Sequence, residues 1–315
     1  MKRLVGPLLI LLCTLIWGSA FVAQKTGSAH YGPFALTCYR NLLAGAFLAA
    51  VIVVRNWVAR RPTADDRQLA TNNQQPLIGG ALSGVVLFGA MAAQQLGIEH
   101  TTPGISAFLT ANYILIVPFL AWLIGRGRPR LTVGLGVVLA LVGTYLICVE
   151  PAADTRSPFS ILHFQFGKGE AWTLLCAFLF AVQILVVDRF ASRCDVLVFS
   201  MVQMFVAALS AAPFLLLPSE AARLTLAHFT AGWWSLFYVG ILSSGIAYTL
   251  QNLGQARTPA ALAAIVMSFE SVVGAVSGYL FLGDTLAAAQ IVGCLLVFTA
   301  IVFASLANQG GSCTD

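Results

Sequence analysis

The 315-residue chain is 59% hydrophobic and only 9% charged, with a formal net charge of +5 and a mean hydropathy of +0.87. So few charges cannot cover the surface of a soluble domain of this length, which excludes a water-soluble enzyme or binding module. The first apolar segment, roughly 4–24, follows Met1-Lys2-Arg3 and passes Gly18-Ser19-Ala20, in the manner of a signal peptide. It continues past Phe21 to about Ala23, and Leu12 is too large to precede a lipoprotein-type cysteine at Cys13, so an uncleaved helix is expected. Nine further segments follow at 34–54, 77–97, 103–124, 131–149, 170–188, 196–217, 232–252, 260–281 and 286–306. Each approaches the ~20 residues that cross a bilayer. In lipid the backbone must satisfy its own hydrogen bonds, so these are helices. The reading is an all-α polytopic membrane protein with ten transmembrane helices.

Lys and Arg set the expected orientation. With the N-terminus inside, the inner face receives Lys2, Arg3, Arg55, Arg60, Arg61, Arg67, Arg126, Arg128, Arg130, Arg189, Arg193 and Arg257. The outer face receives only Lys25, Arg156, Lys168 and Arg223, while Arg40 lies within a span. This bias predicts a multi-pass protein of the plasma (inner) membrane with both termini cytoplasmic. The positive balance thus records topology, with the lipid bilayer as partner and no nucleic acid. The seven cysteines show no C-x-x-C pairing, so neither disulfides nor a metal site is expected.

The halves echo one another. Leu96-Gly97, Thr102-Pro103 and Ala107 recur as Leu253-Gly254, Thr258-Pro259 and Ala263, each set leading into an apolar run. Leu12-Cys13 likewise recurs as Leu175-Cys176, which aligns Trp17 with Phe180 and Lys25 with Asp188. Five helices per copy is an odd number, so the second copy is inverted, an arrangement that in transporters puts the site at the repeat interface near the midplane. The expected division is a first repeat at 1–149, an outer linker at 150–169, a second repeat at 170–308 and a cytoplasmic tail at 309–315.

Several motifs, in order and at matching spacing, resemble the ten-helix, EamA-type branch of the drug/metabolite transporter superfamily. They are Trp17-Gly18-Ser19-x-Phe21, Arg40 followed by Asn41-Leu42-Leu43-Ala44, Ser268-Phe269-Glu270-Ser271-Val272-Val273, and Gly283-Asp284-x-Leu286. Ser271 stands where that family usually has proline, Asp284 where it has glutamate, and the first repeat carries Arg126-Gly127-Arg128 at the corresponding turn. The resemblance spans about residues 5–306. It implies a basket of helices around a central cavity that moves small metabolites such as amino acids.

Glu270 lies eleven residues past Pro259, roughly 16 Å along the helix and near the middle of a ~30 Å hydrocarbon core. A carboxylate at that depth marks a functional site by default, for a substrate ammonium or a proton, with a structural hydrogen bond as the alternative. Glu270, Gly274 and Ser277 share a helical face, a small and polar stripe suited to a cavity. Arg40 sits about 10 Å from the outer end of its helix. It is either a clamp for a substrate carboxylate or a snorkelling side chain; together with Glu270 it would suit a zwitterion, unless the two pair. Trp17, Tyr39, Tyr113 and Tyr248 can line an amphipathic cavity. Gln94, Gln95, Asn112, Gln183, Gln203, Gln251 and Asn252 are more amides than helix packing needs, and Asn112 aligns with Ser268. The substrate-binding set read from sequence is Glu270, Arg40, Trp17, Tyr113, Asn112, Tyr248 and Ser268.

Four isolated histidines, the solvated Asp65-Asp66 pair and the lack of a phosphate-binding loop give no enzyme, cofactor or ATPase signature. The expectation is therefore a secondary transporter, most simply an exporter of amino-acid-like metabolites, with drug efflux or metabolite uptake as the alternative. A non-transporting membrane scaffold is the rival of a different class. Gly274-x-x-x-Gly278 fits close packing inside the bundle or between protomers and leaves the oligomeric state open.

Overall fold

The computed structural model describes residues 5–58, 74–125, 131–148, 167–285 and 287–309, and no strand occurs among them. Three long helices open the chain: α1 (Val5–Ser28), α2 (Pro33–Val58) and α3 (Gln74–Glu99). The fourth apolar segment folds as two pieces, α4 (Pro103–Thr110) and α5 (Tyr113–Leu123), and α6 (Leu131–Cys148) follows. The second half begins with α7 (Lys168–Phe190) and α8 (Val196–Ala211). Short helices α9 (Pro218–Ala221), α10 (Leu226–Ala231) and α11 (Trp233–Phe237) then lead into a π-helical stretch, Tyr238–Ala247. The chain continues through α12 (Tyr248–Gln255), α13 (Ala260–Met267), α14 (Glu270–Leu282) and α15 (Ala288–Gln309).

Local chemistry explains where these elements begin and end. Pro103 occupies the first turn of α4, where its missing N–H costs nothing, and the Thr102 hydroxyl accepts from Ile105 N. The Asp195 carboxylate caps α8 by accepting from Leu197 N and Val198 N. The buried Glu220 carboxylate of the short helix α9 does the same for α2, accepting from Phe34 N at 3.3 Å and Ala35 N at 2.9 Å. α14 stops at Gly283, whose φ of 70° is left-handed and suits a residue without Cβ.

Six apolar helical stretches among the described residues are long enough to cross a membrane: Val5–Ser28, Pro33–Val58, Gln74–Glu99, Pro103–Leu123, Lys168–Arg193 and Val196–Leu216. Their outward faces carry exposed Leu42, Val53, Val85, Phe178 and Leu209. An apolar exterior around a core holding many buried polar groups is the pattern of a bundle solvated by lipid.

The packing repeats between the halves. α1 of the first half lies against α12, α13 and α14 of the second, and α7 of the second lies against α3, α4 and α5 of the first. α2 packs on α8, and α6 on α15. Exchanging the halves turns the first pair of contact sets into one another and leaves the last two unchanged. That is the contact pattern of two interlocked repeats related by a pseudo-two-fold axis.

The fourth and ninth apolar segments, expected as continuous runs, both break. In each the bonding shortens from i−4 to i−3: Asn112 N to Leu109 O and Ile114 N to Ala111 O in one, Phe269 N to Val266 O and Ser271 N to Ser268 O in the other. Side chains reinforce the breaks, because Asn112 Nδ2 donates to Leu109 O at 3.0 Å and Ser271 Oγ to Ser268 O at 2.8 Å. The ninth segment thus breaks without proline. The Glu270, Gly274 and Ser277 stripe, expected to face a cavity, is instead largely a packing face. A Cβ on Gly274 would lie 2.6 Å from Ala107 Cβ, so this glycine brings α14 onto α4 inside the bundle.

Candidate functional site

Three residues of α1, Trp17, Phe21 and Gln24, share one face at i, i+4 and i+7 and form a wall of a central cavity. α7, which opens the second half as α1 opens the first, supplies Phe180, Gln183 and Ile184 to the same cavity. Trp17 and Phe180, matched in the two repeats, therefore both line it. Arg40 enters from α2, Gln94 from α3 and Tyr113 from the start of α5. The second half adds Ser243, Tyr248, Gln251, Met267 and Glu270. The cavity holds about 30 Å³ of free volume, far below the ~300–1,000 Å³ usual for occupied small-molecule sites, so in this conformation it is nearly filled by its own lining side chains.

Arg40 is 2% exposed, so it does not snorkel to the interface. Its Nε donates to Ser244 Oγ at 2.9 Å, Nη2 to Ser243 Oγ at 3.1 Å and Nη1 to Gln24 Oε1 at 3.4 Å. All three acceptors are neutral. Trp17 Nε1 donates to Ser243 O at 3.1 Å, and the indole packs against Tyr248 in a tilted contact with centroids 4.6 Å apart and planes 58° apart. One residue, Ser243, thereby orients both the guanidinium and the indole.

Glu270 is 4% exposed and heads α14. Glu270 Oε1 and Tyr113 Oη make no hydrogen bond within 3.5 Å among the described residues, but the carboxyl and the phenol lie close enough to interact with each other, and both side chains line the cavity. Ion pairs within 4 Å among the described residues include Arg55–Asp195 at 2.8 Å and Arg223–Glu99 at 3.8 Å. Arg40 and Glu270 thus face one cavity without pairing with each other. Among the amides, Gln251 Nε2 donates to Gln183 Oε1 at 3.3 Å and Gln94 Nε2 to Thr110 Oγ1 at 3.5 Å. Gln183 Nε2 and Gln251 Oε1 are left without a partner among the described residues, and all three side chains line the cavity.

Of the seven residues singled out in the sequence, Trp17, Arg40, Tyr113, Tyr248 and Glu270 come together in the cavity. Asn112 and Ser268 lie at the two helix breaks and are not among its lining. The Asn112 amide is spent on its own backbone, at Phe108 O and Leu109 O. Gln95 and Asn252 are likewise packing groups, the former donating to Gln24 O and Ser28 Oγ, the latter to Ser200 Oγ and Gln203 Oε1. Sequence reasoning missed Gln24 and Ser243. Gln24 carried a usable signal, since it lies seven residues after Trp17 on the same face; Ser243 carried little, because a serine in an apolar run reads as packing.

The EamA-like transporter family model matches residues 4–149 and 167–306, one match for each half. The chain belongs to the EamA-like transporter family. Similar curated proteins are an uncharacterized transporter of Archaeoglobus fulgidus, 24% identical over 97% of this chain and 87% of its own length, and an uncharacterized transporter, YwfM, of Bacillus subtilis, 22% identical over 98% and 96%. A chloroplastic WAT1-related protein of Arabidopsis thaliana is 24% identical over 90% of this chain and 66% of its own length. A solved crystal structure of a protein 21% identical to this one superposes with a TM-score of 0.63, covering 98% of this chain and 99% of the other. That likeness shows the fold. As a member of this family the chain is a multi-pass membrane transporter, with lipid as its environment and a small molecule as its cargo.

Proposed function

We propose that this EamA-like protein is a secondary transporter that exports amino acids or similar amphipathic metabolites by alternating access. On this reading it crosses the plasma membrane ten times, with both termini cytoplasmic. The observation that carries the proposal is that a guanidinium, Arg40, and a carboxyl group, Glu270, are buried in one cavity and unpaired with each other. Each, when charged, costs free energy in a low-dielectric slab until an opposite charge arrives. A substrate ammonium suits Glu270 and a substrate carboxylate suits the Arg40 fork. Trp17, Tyr248, Phe21 and Phe180 supply apolar and aromatic surface for the side chain of such a substrate.

Alternating access is supported by the matched breaks in the fourth and ninth segments, which lie on opposite repeats and divide each helix beside the cavity. Two half-helices joined by a 3₁₀-like turn can swing separately, so each repeat holds a hinge of its own. The experiment is uptake of radiolabelled amino acids into proteoliposomes, with Glu270→Gln and Arg40→Ala compared against wild type. Loss of flux in both variants, with folding retained, supports the site; full flux in both rejects it. Wild-type flux of lipophilic cations without any amino acid would favour the drug-efflux reading, and no flux of any candidate would favour the scaffold.

A further inference from the structure

We infer that Ser243 and Ser244 are specificity-determining residues that reserve the Arg40 end of the cavity for an anionic group and so reject substrates bearing only positive charge. The inference rests on the reading of the cavity as the substrate site and goes further by fixing the charge of one end of the substrate. A guanidinium has five N–H donors. At Arg40 three of them are taken by Ser244 Oγ, Ser243 Oγ and Gln24 Oε1, leaving one N–H on each Nη outside those bonds. Neutral oxygens satisfy donors but do not cancel charge, and no carboxylate lies within 4 Å of Arg40 among the described residues. The arrangement holds the guanidinium rigidly and leaves its charge and two donors for a ligand. A carboxylate accepts such a pair of N–H groups side by side.

The identity of the two residues decides this. Aspartate at either position would close a permanent ion pair and leave the cavity with no net attraction for an anion. Serine at both positions fixes the geometry without that neutralisation. Ser243 does so while its carbonyl accepts from Trp17 Nε1, so the anion end and the aromatic wall are set by one residue of the π-helical stretch. π-helical segments of this kind are frequent at functional sites.

The test uses three probes of one skeleton: phenylalanine, phenethylamine, which lacks the carboxylate, and 3-phenylpropionate, which lacks the amine. Binding to the purified full-length protein is read by ligand-dependent thermal shift and by flux in proteoliposomes. Wild type should prefer phenylalanine over phenethylamine, which lacks the group that Arg40 takes, by about tenfold or more, the usual scale of a charge-assisted hydrogen-bonded contact. Ser243→Asp should remove or invert that preference. Ser243→Ala should weaken binding of the acids several-fold while keeping their rank, because the charge of Arg40 remains. Phenethylamine preferred by wild type overturns the inference, as does an unchanged acid preference in a folded Ser243→Asp or Ser244→Asp protein. Binding of 3-phenylpropionate without phenylalanine, lost in Ser243→Asp, upholds the inference while overturning the amino-acid reading. Binding of none of the three overturns both.

Discussion

Glu270 stands at the first position of α14, in a cavity that Arg40 also lines, and its Oε1 has no hydrogen-bond partner among the described residues. If the carboxylate serves a substrate ammonium, Glu270→Gln should lower amino-acid flux by about tenfold or more while leaving the melting temperature in detergent near wild type, since shape and size are kept. Arg40→Lys should restore only part of the flux lost in Arg40→Ala, because an ammonium is a point charge and cannot offer a planar fork. Both are read from initial rates in proteoliposomes. Asn112→Ala should behave oppositely: its amide bonds only its own helix, so apparent affinity should hold while stability falls by about 1 kcal/mol. Glu270 was legible in the sequence because an acid at mid-depth has so few structural excuses. Ser243 was not, since a serine in an apolar helix can always return its hydroxyl to a carbonyl of the preceding turn.

At the scale of elements, length and hydropathy located the apolar segments but could not show that two of them break. No residue at either break is a strong helix breaker; a shortened bond register and side-chain bonds from Asn112 and Ser271 make the turns. Such breaks depend on what packs around them, which one strand of sequence does not record. The same holds for Gly274, whose helical spacing from Glu270 suggested a cavity face until its contact with Ala107 placed it in a helix interface. Gly274→Leu should force α14 away from α4 and cost about 1–3 kcal/mol. A lowered melting temperature of the purified protein checks this, and an unchanged one would deny the close approach.

For the whole molecule, the repeat was readable because the Gly, Thr-Pro and Leu-Cys matches recur in the same order in both halves. The pairing of α1 with α12–α14 and of α7 with α3–α5 gives that symmetry its physical content. The two repeats contribute unequally to the cavity, however: the acid comes from the second and the arginine from the first. A frame that is symmetric in packing and unsymmetric in charge can face either side of the membrane while holding a substrate in one orientation. The most direct test of this account is counterflow of labelled phenylalanine in proteoliposomes loaded with unlabelled phenylalanine, for wild type, Glu270→Gln and Arg40→Ala. The account predicts accumulation for wild type and near-background signal for both folded variants; accumulation at the wild-type rate in both would contradict it.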